Sequence, residues 1–300
     1  MIKPIYFLQA PSNLGLKPPA ADRVPGTFRA PEALIRAGLS TRLQAQGIGV
    51  VTAGRYMPEI DPATGIRNVD AIRRFTLKLA RTLEPLLADY FPLVVGGDCS
   101  VLIGAMLAMK RAGRCGLIFM DGHTDFLTPE TSATGGAAGM DLAIVTGYGA
   151  DKLTDIDRQK PYVRESNVVV FGNRDIEAPE TYPAKLIFET DISMITLTYA
   201  RQVGVEMAAM QAVELLKQRG VDGFWIHLDA DVLDSAIMPA VDSPLPDGLT
   251  YDDLITVLRA LLQTGLAFGM DITIYDPDLD PTGHIARAYV DALVAALLPV

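Results

Sequence analysis

Three side chains that could bind a metal ion follow one apolar run at alternate positions. The run Leu117-Ile118-Phe119-Met120 leads directly into Asp121, His123 and Asp125. Side chains two residues apart lie on the same face of a β-strand, so these three would converge if the extended backbone continues. Carboxylates and imidazoles are common metal ligands. An aspartate at a strand end is also a common loop or cap residue, so this cluster alone leaves both interpretations open.

A second segment repeats the pattern about a hundred residues later. Residues 223–228 are a second mainly apolar run, and the end of this run presents His227, Asp229 and Asp231, again at alternate positions. Two such strand ends in a parallel sheet would meet, and buried carboxylates repel one another unless each finds a partner. A divalent cation would be that partner. The mixture of oxygen and nitrogen donors favours Mn²⁺ or a similar ion over structural zinc.

Composition indicates a compact protein that does not bind nucleic acid. The 300 residues are 49% hydrophobic and 21% charged, and α/β units often reach this length, so we predict one domain over residues 1–300. The net charge of -10 disfavours nucleic acid and anionic membranes as partners. No apolar run reaches about 18 residues, and the N-terminus lacks a signal-peptide pattern, so we expect a cytoplasmic protein without membrane contact.

Alternating strand and helix patterns predict an α/β fold with three α-β-α layers. Apolar runs bounded by turn residues predict about eight strands in a mostly parallel sheet, near residues 4–8, 48–52, 92–96, 116–120, 167–172, 185–188, 223–228 and 266–274. Helical spacing predicts helices at 31–46, 69–89 (with a kink or stop near Pro85), 99–112, 198–219, 250–263 and 281–298. Residues 122–141 are interpreted as a loop over a pocket at the carboxyl ends of the strands.

A third strand end carries a cysteine. The sequence Gly96-Gly97-Asp98-Cys99-Ser100 predicts a tight turn in which the glycines allow close backbone approach and Asp98 caps a helix that begins near Cys99. A helix start would favour the thiolate form, so Cys99 is either a metal ligand or an inert buried thiol. The other cysteine, Cys115, is predicted to be a small core residue. Two cysteines are too few for a disulfide framework.

Taken in order, these strand ends resemble the ureohydrolase family of arginases, agmatinases and formiminoglutamases. The resemblance covers most of the chain and rests on Asp-x-His-x-Asp at 121–125, Asp-x-Asp-x-x-Asp at 229–234, the Gly-Gly-Asp turn at 96–98, and the segments 31–39, 171–175, 248–251 and 269–272. It implies an arginase-like fold. It also implies a small guanidino or amidino substrate and a homo-oligomeric assembly.

The resemblance further implies two Mn²⁺ ions and a set of ligands. Asp121 and Asp229 would bridge the ions, Cys99 and Asp125 would complete one site, and His123 and Asp231 the other. A hydroxide shared by the ions would attack the guanidinium or amidine carbon and release an amine, with Asp125 orienting it. The family usually has histidine where this chain has Cys99. Since Mn²⁺ gains little from a thiolate, we expect that ion to bind weakly or to be replaced by a softer metal.

The substrate-binding positions also differ from the family pattern. Gly136 replaces an asparagine, Ala138 a histidine that transfers protons in arginase, and Ile274 a glutamate that binds guanidinium. Leu127 replaces an arginase asparagine. These changes disfavour ordinary arginase activity and favour a less cationic formimino, N-hydroxyguanidino or otherwise substituted substrate. Glu177 either faces the distal end of the substrate or is a solvated loop charge.

Two further questions remain open at the level of sequence. His227 stands where the family commonly has serine, so it either orients a ligating carboxylate, as a catalytic-site residue, or is a hydrogen-bonded core histidine. The function is either metal-dependent hydrolysis of a linear C–N bond or, in a catalytically degenerate member, regulation through metal or metabolite binding. A zinc deacetylase is disfavoured because no adjacent histidine pair is present.

Overall fold

The computed structural model describes residues 3–113, 116–177 and 185–298. Within them, eight parallel strands form one sheet in the order β2-β1-β3-β8-β7-β4-β5-β6. The strands are β1 Ile5–Ala10, β2 Gly47–Val50, β3 Phe91–Gly96, β4 Gly116–Met120, β5 Val168–Phe171, β6 Ser193–Ile195, β7 Phe224–Asp229 and β8 Ala267–Thr273. The predicted α/β class and strand number are confirmed.

Helices cover both faces of this sheet. They are α1 Ala30–Arg36, α2 Leu39–Arg42, α3 Val69–Asp89, α4 Val101–Arg111, α5 Asp141–Thr146, α6 Asp151–Thr154, α7 Leu197–Val203, α8 Val205–Gln218, α9 Tyr251–Gln263 and α10 His284–Leu297. Helices α3 to α6 pack on one face, and the others pack on the opposite face. The structure therefore has the three predicted layers. No helix in the described ranges has both the length and the apolar character needed to cross a bilayer.

The alternation of buried side chains along the strands builds two apolar cores. In β4, Ile118 and Met120 pack into one core, whereas Leu117 and Phe119 pack into the other. Side chains of a strand point alternately to the two faces, and strands of a parallel sheet are buried on both. The central strands are therefore largely apolar, with His227 in β7 and Asp271 in β8 as buried exceptions, and most polar residues follow their carboxyl ends.

Strand order brings the three predicted strand ends together. The chain crosses from β3 to β4 and later returns to insert β7 and β8 between them. The turn after β3 carries Cys99, the residues after β4 carry Asp121 to Asp125, and β7 ends at Asp229. In a parallel sheet all these ends lie at one edge, which is where ligands bind in open α/β folds.

Several predicted boundaries are wrong. Residues 185–188 form a 3₁₀ turn, Lys185–Glu189, and the sixth strand lies at Ser193–Ile195. The helix predicted at 31–46 is divided at Gly38, where φ is 95°, and the one at 198–219 is divided at Gly204, where φ is 90°. Both angles lie in the left-handed region that glycine tolerates and a continuing α-helix excludes.

Other local predictions had mixed outcomes. Helix α3 neither stops nor divides at Pro85 but runs through it to Asp89. The segment 122–141 is a loop for most of its length, and it ends in a 3₁₀ turn, Ala138–Met140, followed by the unpredicted helix α5. Helix α4 begins at Val101, two residues later than expected. The prediction for Cys115 falls outside the described residues.

Candidate metal centre

Two overlapping clusters of metal-binding side chains lie at the carboxyl edge of the sheet. We call Cys99, Asp121, His227 and Asp229 the inner cluster, and Asp121, His123 and Asp231 the outer cluster. In each cluster one donor atom per residue lies within 4.8 Å of all the others. Asp121 belongs to both. Five of the six predicted metal ligands therefore converge, and His227 joins them.

The turn after β3 places Cys99 against β7. A Cβ on Gly97 would lie 1.7 Å from the carbonyl oxygen of Ser12, so only glycine permits this close backbone approach. Asp98 accepts a hydrogen bond from the Ser100 amide at 3.0 Å and one from the Ser12 hydroxyl at 2.6 Å. The prediction that Asp98 caps the helix is wrong, because the N-cap of α4 is Ser100 and Asp98 instead accepts within the turn that precedes it.

The outer cluster is an internally paired site that opens to solvent. His123 Nδ1 lies 2.9 Å from Asp231 Oδ2 and 3.6 Å from Asp121 Oδ1, and the Gly122 amide donates to Asp231 Oδ1 at 3.1 Å. Burial opposes both charges, yet the mutual attraction of the pair raises the pKa of His123 and lowers the pKa of Asp231. Without a metal this cluster is held together by an ion pair.

The inner cluster is fully buried and contains a protonated thiol. Cys99 Sγ donates to Asp229 Oδ2 at 2.8 Å and lies 3.2 Å from the hydroxyl oxygen of Thr273. Burial, followed by the charge of Asp229, raises the pKa of Cys99 well above its usual value. This direction is opposite to the one expected from a helix start. Helix α4 begins two residues beyond Cys99, and burial together with the nearby carboxylates opposes the thiolate.

His227 is held rigidly by the strands beside it. Its neighbours in register are Phe119 on β4 and Asp271 on β8. The rings of His227 and Phe119 stack, with centroids 4.6 Å apart and an interplanar angle of 21°. Nδ1 lies 2.5 Å from Asp271 Oδ2, and the indole of Trp225 donates to the other oxygen of Asp271. His227 thus pairs with a carboxylate outside the predicted ligand set.

Unpaired buried atoms show that the clusters suit a cation. Asp121 Oδ2 and His227 Nε2 have no hydrogen-bond partner, although both residues are completely buried. Burial and then repulsion from Asp231 raise the pKa of Asp121 to about 7. Buried polar atoms without partners destabilise a fold by about 1–3 kcal/mol each. A divalent ion would satisfy these acceptors and offset the repulsion, so the residues present fit a metal pair.

A small pocket connects the clusters to solvent. Its volume is about 230 Å³, which is below the range of about 300–1,000 Å³ that is usual for small-molecule sites. All the predicted substrate-binding positions except Glu177 line the pocket, and so do four carboxylates. The complete lining is Gly15, Leu16, Lys17, His123, Asp125, Leu127, Thr134, Gly136, Ala138, Gly139, Asp229, Asp231, Asp242, Ser243 and Ile274. Glu177 ends a 3₁₀ turn, Asp175–Glu177, and its side chain is not described.

Asp125 lies beside the two clusters rather than within them. It adopts a left-handed backbone conformation, with φ at 42°, and its side chain lines the pocket. Burial and then the charges of Asp121 and Asp141 raise its pKa well above the usual value. An aspartate tolerates this backbone conformation better than most residues. The extended backbone therefore does not continue to Asp125, although its side chain still lines the pocket.

The sequence predicted no role for three acidic residues near the centre. Asp271 belongs to one of the segments that carry the family resemblance, and its contact with His227 was not predicted. Asp141 is completely buried, and its Oδ2 has no hydrogen-bond partner. Asp242 lines the pocket and is exposed at its mouth, and desolvation followed by repulsion from Asp231 raises its pKa above the usual value. None of the three follows an alternating pattern, so no sequence signal identified them.

The chain is similar to known arginases in both sequence and structure. The family model described as the arginase family matches residues 6–298. The arginase of Staphylococcus aureus strain COL is 30% identical over 297 residues, covering 96% of this chain and 95% of that protein. The arginase of Bacillus caldovelox is 30% identical over 304 residues, covering 99% and 98%. The native structure of Bacillus caldovelox arginase at pH 5.6 superposes with a TM-score of 0.88 and 28% identity, covering 100% of this chain and 99% of that one.

Proposed function

Because this chain belongs to the arginase family, we propose that it is a binuclear metal-dependent hydrolase that cleaves a linear C–N bond of a small guanidino or amidino compound. The observation that carries this proposal is the sharing of Asp121 between two clusters of buried donors beside one pocket. Nothing in the packing of the sheet requires so many carboxylates at one place. Two cations would remove the repulsion among them.

We propose Mn²⁺ as the ion of the outer cluster, since imidazole and carboxylate donors suit it. Asp121 and Asp229 would help to hold both ions, His123 and Asp231 would hold the outer ion, and Cys99 would hold the inner one. Bound divalent ions lower the pKa of water toward about 7 and polarise an electrophilic carbon. Asp125 lines the pocket next to this centre. There its carboxylate would orient the attacking water and accept its proton.

The pocket wall supports a substrate other than arginine. Ile274 is buried at the wall, where the resemblance places a guanidinium-binding glutamate, and Ala138 offers no imidazole for proton transfer. Losing a charge-assisted contact costs about 1.5–3 kcal/mol of binding. Asp242 supplies a carboxylate at another part of the wall. We therefore propose a formimino, agmatine-like or N-hydroxyguanidino compound whose cationic end faces Asp242 rather than residue 274.

The second candidate is a regulatory protein that binds a metal or metabolite without turnover. The observation in its favour is the replacement of the family's histidine, glutamate and proton-transferring residues by Cys99, Ile274 and Ala138, all at or beside the centre. Retention of both metal clusters beside one pocket favours the hydrolase, because regulation through one bound metal or metabolite would need neither the second cluster nor the shared carboxylate of Asp121.

A substrate panel tests the proposal. The metal-free protein is reconstituted with Mn²⁺, Zn²⁺, Co²⁺ or a pair of different ions, then incubated with arginine, agmatine, N-hydroxyarginine, guanidinobutyrate and formiminoglutamate. Released urea, amide and ammonia are measured. We expect turnover of at least one compound, and an Asp125→Asn variant should lose it while keeping its metal. His284→Gln, on an exposed helix start, serves as the matched control. If no compound is hydrolysed with any metal, the regulatory role replaces the hydrolase.

A further inference from the structure

We propose that His227 is a metal ligand of the inner cluster and that, with the thiolate of Cys99, it makes this half of the centre selective for Zn²⁺ or a similarly thiophilic ion rather than Mn²⁺. The nitrogen donor that the resemblance places at residue 99 would then be supplied from β7. This inference rests on the proposed function only for the presence of a metal pair. It concerns which side chains bind the inner ion.

The geometry of the inner cluster supports ligation by Nε2. Donor atoms of Cys99, Asp121, His227 and Asp229 lie within 4.8 Å of one another. A tetrahedral ion with bond lengths of about 2.0–2.3 Å needs donors about 3.5 Å apart, so only small side-chain shifts are required. The ring of His227 is completely buried, and its Nε2 has no hydrogen-bond partner. A buried imidazole nitrogen without a partner, next to a thiol and two carboxylates, is placed to bind an ion.

The surroundings of His227 also select the ligating tautomer. An ionised carboxylate only accepts hydrogen bonds, so the contact of Nδ1 with Asp271 Oδ2 at 2.5 Å puts the ring hydrogen on Nδ1. Nε2 then presents its lone pair to the cluster. The indole of Trp225 occupies the second oxygen of Asp271, which prevents the carboxylate from turning away. Carboxylate–histidine pairs of this kind orient metal ligands in many proteins.

Ion pairing with Asp141 does not account for this arrangement. The carboxylate oxygen Asp141 Oδ2 lies 3.9 Å from His227 Nε2, which is too far for a hydrogen bond. Both atoms are left without partners. Nε2 therefore has no partner on this side and remains available to a cation beside Cys99 and Asp229.

The donor set determines which ion binds. Thiolate and imidazole together favour Zn²⁺ or Co²⁺, whereas Mn²⁺ prefers oxygen donors. The Cys99 thiol is protonated in the metal-free chain, so binding must break the S–H bond, form a metal–sulfur bond and release one proton to solvent. The outer cluster has no sulfur donor. The two halves should therefore hold different ions when both Zn²⁺ and Mn²⁺ are supplied.

Cobalt spectroscopy tests the ligands directly. Metal-free full-length protein is titrated with Co²⁺ in the wild type, His227→Ser, Cys99→Ser and the control His284→Gln. We expect a thiolate-to-cobalt charge-transfer band in the wild type, its loss in Cys99→Ser, and inner-site affinity at least about 100-fold lower in His227→Ser, at the upper end of losses measured around metal sites. The control should match the wild type. Near-ultraviolet circular dichroism checks that each variant is folded.

Two further measurements keep the inference falsifiable if a variant does not fold. X-ray absorption at the zinc edge of the wild type should show one sulfur and one imidazole nitrogen bound to zinc. The double variant Cys99→His/His227→Ser should bind two Mn²⁺ and no longer prefer zinc. Absence of a sulfur ligand, or unchanged cobalt binding in His227→Ser, would overturn the inference even in an active hydrolase. A thiolate spectrum in a protein that hydrolyses nothing would overturn the proposed function alone.

Discussion

The inner and outer clusters share Asp121 and the same edge of the sheet, but they satisfy their charges differently. In the outer cluster His123 and Asp231 form an ion pair at 2.9 Å, and the His123 side chain is 23% exposed. In the inner cluster all four residues are buried, the thiol is protonated, and two donor atoms have no partner. The donors of the outer cluster are therefore paired with one another, whereas the inner cluster needs a metal ion to pair its remaining donor atoms.

This difference shows how one strand-end pattern can produce two kinds of site. Asp121 and His123 follow β4, and His227 and Asp229 close β7, so each strand supplies one imidazole and one carboxylate. The imidazole lies after the carboxylate on β4 and before it on β7. The first position reaches the pocket, and the second remains inside the sheet between Phe119 and Asp271. The order of imidazole and carboxylate along each strand thus decides whether the imidazole is exposed or buried.

Removing the shared carboxylate should have the largest effect. Asp121→Asn takes a donor from both clusters, so we expect both metal affinities to fall by more than about 100-fold. Hydrolysis should fall by about 10³-fold, equivalent to about 4 kcal/mol of activation free energy. Isothermal titration with Mn²⁺ and Zn²⁺, together with steady-state kinetics, measures both. The exposed Asp22→Asn variant is the matched control. Retention of either ion at full affinity would show that Asp121 is not shared.

Removing the outer imidazole should separate the two halves. His123→Asn leaves all inner donors in place, so metal content should fall from two ions per chain to one, and the cobalt–thiolate band should persist. Elemental analysis after gel filtration gives the count. If both ions are lost together, the clusters form one cooperative site, and the contrast drawn between them is wrong.

A change at Asp271 should weaken the inner half selectively. In Asp271→Asn the amide oxygen would accept from Trp225 and the amide nitrogen would face His227 Nδ1, which moves the ring hydrogen to Nε2 and blocks ligation. We expect inner-site affinity to fall by about 10–100-fold while Mn²⁺ affinity at the outer cluster changes little. Competition titration with a chelator measures each site. Equal weakening of both sites would contradict the tautomer argument.

The pH dependence of metal binding should differ least between the two halves. Burial raises the folded-state pKa of Asp121 to about 7, so the metal-free fold retains a proton that the unfolded chain has lost. Stability without metal should therefore fall as pH rises from about 4 to about 7, and added metal should reverse the trend. Affinity should rise about tenfold per pH unit for each proton displaced.

Each half should displace a ligand proton of its own, from Cys99 at the inner cluster and from the ion-paired His123 at the outer cluster, so the two slopes should be similar. Titrations with Zn²⁺ and Mn²⁺ between pH 6 and 8 would measure both slopes, and Cys99→Ser should flatten the inner slope alone. An inner slope that stays unchanged in Cys99→Ser would show that sulfur is not a ligand of the inner ion.

The sequence by itself determined the three-layer fold, the strand ends and most of the convergent donors. Apolar runs that end in alternating Asp and His residues depend only on the two-residue period of a strand, and that period is local. The helix breaks at Gly38 and Gly204 were not predicted, and the sixth strand was predicted at 185–188 instead of Ser193–Ile195. The structure of such short segments depends on the residues that pack against them.

Only the tertiary structure decided how the donors are partnered. Asp271 lies 44 residues from His227 along the chain, yet strand register makes them neighbours. The raised pKa of Cys99 follows from its burial and then from the carboxylates that surround it in space. Charge and hydrogen bonding act through distance in a desolvated interior. The positions of the ligands were therefore predictable from local pattern, whereas their protonation, pairing and metal preference required the folded arrangement.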